Sequence, residues 1–169
     1  LGFAGASGAV PTVEPSLVID VGGGSTELVI GEAGRVLASV STQLGCVRLT
    51  ERALHADPPT DAERDAAASI AEAVLRDGLA VLREGLAHHG RSLADLGTVV
   101  AVAGTATTLA ALQLGLDDYE ESRIHGTVVG TAALDTLADR LVRRTVAERS
   151  ALGPVQPGRA EVLHGGAVV

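Results

Sequence analysis

The chain has 169 residues, 46% of them apolar and 20% charged, which suits a single globular domain able to bury its own core. Its net charge of −8 and its aromatic share of 1%, Phe3 and Tyr119 alone, exclude a dedicated nucleic-acid module: there is neither a basic footprint nor a set of aromatic faces for bases. No apolar run approaches the ~20 residues of a membrane-spanning helix, so no membrane partner is expected.

Residues 1–15 are rich in Gly, Ala and Pro and read as a lead-in loop. Three short β-rich runs follow: Ser16–Val21, Thr26–Gly31 and Arg35–Ser41. The glycines between them predict an antiparallel meander. Gly45–Leu54 fits a short helix, which His55–Pro59 breaks. Thr60 and Glu63 have capping-box spacing and open a long helix to about His89. Leu75, Leu79, Leu82 and Leu86 share one face of that helix, and Gly90 supplies its stop. Gly97–Ala103 is a continuous apolar run, predicting a strand buried on both faces. Gly104-Thr105 ends it, with Thr105 as N-cap of a helix over Ala106–Leu114. Asp117–Gly126 is polar and irregular. A helix over Thr131–Arg144 carries Leu134, Leu137 and Leu141 on one face. Pro154–Gly158 reads as a linker, and Arg159–Val169 as a final helix.

Cys46 is the only cysteine, so neither an intrachain disulfide nor a zinc cluster can form, and a buried, inert thiol is expected. A reducing, cytoplasmic setting is consistent with that. The first residues lack the basic region of a signal peptide, and the chain contains no Met, so it is expected to begin inside a longer protein.

The strongest chemical signal is Asp20-Val-Gly-Gly-Gly-Ser-Thr-Glu27, lying between two predicted strands. Gly22, Gly23 and Gly24 let a backbone turn sharply and bring N–H groups close to an anion, and Ser25 adds a hydroxyl. Asp20 and Glu27 flank that cradle. Two carboxylates beside phosphate oxygens suit Mg2+. A glycine-rich hairpin with two solvated acids would carry the same letters. A P-loop is excluded because no Lys follows the last glycine. A dinucleotide fingerprint is excluded because Glu27 stands at its third glycine and a strand pattern follows. Gly104-Thr105-Ala106 is a second candidate, placed where a strand passes into a helix whose N-terminal N–H groups favour phosphate; plain N-capping is its simpler reading. Arg48 has the donors to grip a phosphate, although such a residue is more often merely on the surface. His88 and His89 diverge by about 100° on a helix and make a poor chelating pair. They suit a helix end, and His125 suits structural hydrogen bonding.

Taken together, several segments resemble the exopolyphosphatase / guanosine pentaphosphate phosphohydrolase (Ppx/GppA) family. They are Leu17-Val-Ile-Asp-Val-Gly-Gly-Gly-Ser-Thr-Glu-Leu-Val-Ile-Gly31, Leu44-Gly-Cys-Val-Arg-Leu-Thr-Glu51 and Ala103-Gly-Thr-Ala-Thr-Thr-Leu109. Ile124-His-Gly126, Ala147-Glu-Arg149 and Pro157-Gly-Arg-Ala-Glu-Val162 follow in family order. The resemblance implies an α/β fold: a ribonuclease-H-like lobe of the actin-like ATPase superfold, with a three-stranded antiparallel meander, parallel strands and flanking helices. It implies that Asp20 and Glu27 hold Mg2+ or position water. Gly22, Gly23, Gly24 and Ser25 would hold phosphate, with Gly104, Thr105 and Ala106 as the partner loop and Arg48 as a substrate contact. The implied reaction is hydrolysis of a phosphoanhydride in inorganic polyphosphate or guanosine pentaphosphate (pppGpp), in a homodimeric parent. The family's other phosphate loop, its general base and a final strand are absent. Residues 1–169 are therefore expected to be the second lobe alone, cut at both ends. A lobe that binds phosphate or alarmone without catalysis, and a lobe of a sugar or acetate kinase of the same superfold, are the alternatives.

Overall fold

The computed structural model describes residues 14–169, so the lead-in loop falls almost wholly outside the described residues. The three β-rich runs form β1 (Ser16–Val21), β2 (Thr26–Glu32) and β3 (Arg35–Thr42), an antiparallel meander. β4 (Thr98–Val102) pairs parallel to β1, giving the sheet order β3-β2-β1-β4. Ala33 and Gly34, at φ 49° and 77°, make the two-residue turn between β2 and β3. Positive φ at both turn residues matches the twist of the flanking strands. The pairing then shifts by one residue between Ile30 and Gly31, a β-bulge. Beyond it Glu27 lies opposite Ser41 rather than Val40.

Side chains alternate across the sheet, so each face is chemically distinct. Leu17, Leu28, Ile30 and Ala38 are buried on one face, against Leu82 and Leu86 of α2 (Asp61–Ala87). Before it comes α1 (Cys46–Ala53). The capping box of α2 forms as read: the Thr60 hydroxyl accepts from the Glu63 N–H, and the Glu63 carboxylate accepts from the Thr60 N–H at 2.8 Å. The N–H groups of His55 and Ala56 also donate to Glu63, each at 3.0 Å. These donors, led by Thr60, pull the Glu63 carboxyl down to about 2. Gly90, at φ 65°, stops the helix: the Arg91 N–H donates to the Leu86 carbonyl at 3.0 Å. α2 lies close to β3, where a Cβ at Gly85 would come 2.8 Å from Ala38 Cβ.

No β4 residue joins the cluster that α2 buries against the sheet. Val99 is 60% exposed and Ala101 is exposed, so this strand is not buried on both faces as its apolar run predicts. It is a sheet edge among the described residues.

The remaining helices are α3 (Ala103–Gln113), α4 (Glu121–Ile124), α5 (Thr131–Val142), α6 (Val146–Ser150) and α7 (Leu163–Val168). Leu137 and Leu141 of α5 pack with Val155, Ala160 and Leu163. The expected helix over Arg159–Val169 shrinks to α7, because residues 157–162 run as turns. The start of α7 is fixed instead by Arg149, 1% exposed, whose Nε donates to the Ala160 carbonyl at 2.7 Å. Its Nη1 donates to the carbonyls of Leu141 and Arg144. One buried guanidinium thus satisfies three carbonyls where helices end and turns begin. No helix among the described residues is long and apolar enough to cross a membrane.

Candidate phosphate and metal site

The sheet face opposite α2 carries a polar row. Asp20 of β1 stands directly across from Glu27 of β2, which stands directly across from Ser41 of β3. Directly opposed residues hold their Cβ atoms ~4.5–5.5 Å apart, so the two carboxylates share one patch. Ser41 Oγ donates to Glu27 Oε1 at 2.8 Å, and Ser25 Oγ donates to the same oxygen at 2.7 Å. Among the described residues no donor reaches Glu27 Oε2. Sequence reasoning places Ser25 as a phosphate donor, but here its hydroxyl hydrogen is spent on Glu27. A hydroxyl has one hydrogen to give, so it cannot serve both at once. Ser41 was missed altogether. It is fourteen residues from Glu27, and only the bulged register brings the two together.

Gly22, Gly23 and Gly24 form the loop at the end of β1, closed by the Gly22 N–H donating to the Ser25 carbonyl at 2.9 Å. Gly23 and Gly24 are exposed, and among the described residues their N–H groups have no partner. Their carbonyl side is fully used. The Gly22 carbonyl accepts from the Cys46 N–H at 2.9 Å, and the Gly23 carbonyl accepts from Val47 and Arg48 at 2.9 and 3.1 Å. The loop therefore caps α1 through its carbonyls. Gly45 permits this docking, since a Cβ there would lie 2.6 Å from the Gly23 oxygen. Arg48 anchors the loop as well: its Nε donates to the Gly24 carbonyl at 2.7 Å. The exposed guanidinium lies against the loop at Gly24, where an ideal Cβ would stand 3.5 Å from its Nη2.

The second loop differs from its sequence reading. α3 begins at Ala103, in the left-handed region at φ 64°, and Val102 is its N-cap without a side-chain bond. Thr105 is thus inside the first turn and does not cap the helix. It is 3% exposed, and its hydroxyl faces the Val21 carbonyl at 3.4 Å. Thr108 donates to the Gly104 carbonyl at 2.7 Å, drawing that carbonyl into the turn. Ala106 is half-buried in the same turn. The guanidinium of Arg159 packs directly on Gly104, where any Cβ would overlap it. Arg159 thereby puts a cation against the Gly104 loop. Its signal in the sequence was only its place in the Pro157–Val162 segment.

α7 ties the two loops together. A Cβ at Gly166 would stand 2.8 Å from Thr105 Oγ1 and 3.1 Å from Cys46 Cβ. Cys46 caps onto Gly22, and Thr105 faces Val21, so this glycine sits between the supports of both loops. Cys46 is buried, as expected. The structure thus brings Asp20, Glu27, the Gly22–Ser25 loop and Arg48 together, with Gly104–Ala106 adjoining through Val21. His88, His89 and His125 are exposed and stand outside the polar row. Among the described residues no group of three or more acids, histidines or cysteines is arranged to hold a metal. Asp20 and Glu27 are a pair, with hard oxygen donors of the kind Mg2+ takes alongside phosphate oxygens.

Sequence comparison adds the family. A profile of the Ppx/GppA phosphatase family matches residues 1–169. Exopolyphosphatase 2 of Mycobacterium tuberculosis is 43% identical over 170 residues, covering all of this chain and 50% of the relative. A crystal structure described as an exopolyphosphatase-like protein matches with a TM-score of 0.82 at 35% identity, covering 91% of this chain and 47% of that one. The type II variant of the Aquifex aeolicus Ppx/GppA phosphatase matches with a TM-score of 0.79 at 28% identity, over 98% of this chain and 51% of that one. The chain spans about half the length of these relatives. Its fold is one lobe of the actin-like ATPase architecture, and the chain belongs to the Ppx/GppA phosphatase family.

Proposed function

We propose that this chain is the second lobe of a Mg2+-dependent exopolyphosphatase, which releases terminal phosphate from inorganic polyphosphate or pppGpp. The observation that carries the reading is the Asp20–Glu27 pair, opposed across β1 and β2 at the base of a loop whose exposed Gly23 and Gly24 have N–H groups without a partner among the described residues. In this reading Gly23 and Gly24 donate to the oxygens of the terminal phosphoryl group, and Arg48 and Arg159 balance its charge. Preorganised N–H groups and cations stabilise the charge that develops on a transferring phosphoryl group without reorganisation. Asp20 and Glu27 would hold Mg2+, which when bound supplies charge neutralisation at the phosphoryl oxygens.

Following the family resemblance, the base that orients the attacking water is assigned to the other half of the full-length protein. Phosphate release by the full-length protein, assayed on polyphosphate and on pppGpp with Mg2+ and with excess chelator, tests the reading. Release from either substrate that stops in chelator is expected. Phosphoryl transfer from ATP to a sugar would select a kinase instead, and tight phosphate binding without turnover would select a sensor.

A further inference from the structure

We infer that Ser41 is the positioning residue for Glu27, and that Ser25 is a donor that changes partner when phosphate binds. This rests on the site reading above. Both hydroxyls now converge on Glu27 Oε1, at 2.8 Å from Ser41 and 2.7 Å from Ser25. Their supports differ. Ser25 belongs to the glycine loop, beside the exposed N–H groups of Gly23 and Gly24. Ser41 belongs to β3, paired along its length with β2. A phosphate held by that loop lies within reach of the Ser25 hydroxyl, whose single hydrogen must then leave Glu27. Ser41 has no such competing partner. It keeps Oε1 tied in both states and leaves Oε2 as the oxygen free to take a cation or orient water.

The bulge gives this arrangement its meaning. Following the hairpin turn without a register shift, Glu27 would face Val40, and Ser41 would fall beside buried Thr26. The extra residue in β3 exchanges an apolar neighbour for a hydroxyl at this one acid. Ser39, two residues earlier on the same face, lies opposite Val29 and serves no acid.

The test uses the full-length protein and near-isosteric variants. Ser41→Thr and Ser41→Val have almost the same shape, suit a strand equally and differ by the hydroxyl. With Mn2+ as the probe, titrated without substrate by calorimetry or electron paramagnetic resonance, Ser41→Val is expected to weaken binding by about tenfold to 100-fold, the range of one hydrogen bond to a charged group. Ser41→Thr should retain wild-type affinity. In turnover, Ser41→Val should lower kcat with KM unchanged. Ser25→Ala should chiefly raise KM for polyphosphate, because its hydroxyl serves bound phosphate. Ser39→Ala should alter neither. Equal Mn2+ affinity in Ser41→Val and Ser41→Thr overturns the inference, provided that Glu27→Gln impairs binding and turnover. If Glu27→Gln binds Mn2+ and turns over like wild type, the site reading itself falls and this inference falls with it.

Discussion

Gly23 separates a phosphate cradle from a plain hairpin, because the fold tolerates a side chain there. An ideal Cβ would sit 3.4 Å from Val47 Cγ2, an ordinary contact, on an exposed loop. Gly23→Val should therefore leave the stability within about 1 kcal/mol. It should nevertheless lower kcat/KM for polyphosphate by at least about tenfold, because the branched side chain obstructs approach to the loop N–H groups. Denaturant melts and steady-state kinetics on the same samples check both halves, and an unchanged kcat/KM would reduce the loop to a hairpin. Thr26 makes the opposite case. It is fully buried, and its hydroxyl donates to the Leu44 carbonyl at 2.7 Å. Thr26→Val keeps the volume and orphans that carbonyl, so a loss of about 1–3 kcal/mol in urea unfolding is expected. At this scale the acids and glycines of the site were legible, because they are adjacent in sequence. Ser41, Arg159 and the true role of Thr105 were not. Each is set by a partner from fourteen to eighty-four residues away, through register or helix docking that no local pattern encodes.

The helices divide along the same line. α2 was legible because it has both a capping box and four leucines on one face, all of which join the same core. α6 has the same cap in the same spelling, Thr145 to Glu148, with the Glu148 N–H donating to the Thr145 hydroxyl at 3.2 Å. It was passed over because five residues are too few to show a period. α7 depends most on its surroundings. Its Gly165 and Gly166 touch α1 and α3 so closely that side chains would collide with Thr50 and Thr105. Gly166→Val should cost about 1–3 kcal/mol by overpacking. Its neighbour His164 is 2% exposed with Nδ1 unpartnered. Burial first, and then the Arg149 guanidinium, pushes its pKa down to about 4, against a smaller opposing pull from Asp57. The unfolded chain takes up that proton near pH ~6.5 and the folded chain only near 4. His164 thus leaves stability intact above pH ~6.5 and erodes it as the pH falls toward 4, by up to about 1.4 kcal/mol per unit. Glu63, depressed to about 2, acts lower, from its ordinary 4.5 downward. Urea melts between pH 7 and 4.5 should therefore show a falling stability in the wild type and a flatter profile in His164→Gln. Parallel profiles would contradict this account of the buried imidazole.

For the whole molecule, β4 is an exposed edge of the sheet among the described residues. Among the described residues β4 is an apolar edge strand with Val99 60% exposed, the kind of surface that pairs or aggregates when left open. A protein made of residues 1–169 alone should self-associate in a sizing experiment, and Val99→Lys should reduce that association. The same polypeptide should release no measurable phosphate from polyphosphate, since the proposed function assigns its general base to the other half of the full-length protein, and loss of such a base alone removes ~10²–10⁴-fold in rate. The central claim concerns the carboxylate pair beneath the glycine loop. Glu32 provides its control, one hairpin away and paired instead with Arg91 at 2.5 Å. The most direct measurement is Mg2+-dependent phosphate release from polyphosphate by the full-length protein, compared with its Asp20→Asn and Glu32→Gln variants. A fall of at least about 100-fold in kcat for Asp20→Asn, with Glu32→Gln near wild type, is the predicted result. Equal activity in the two variants would contradict the assignment of this site.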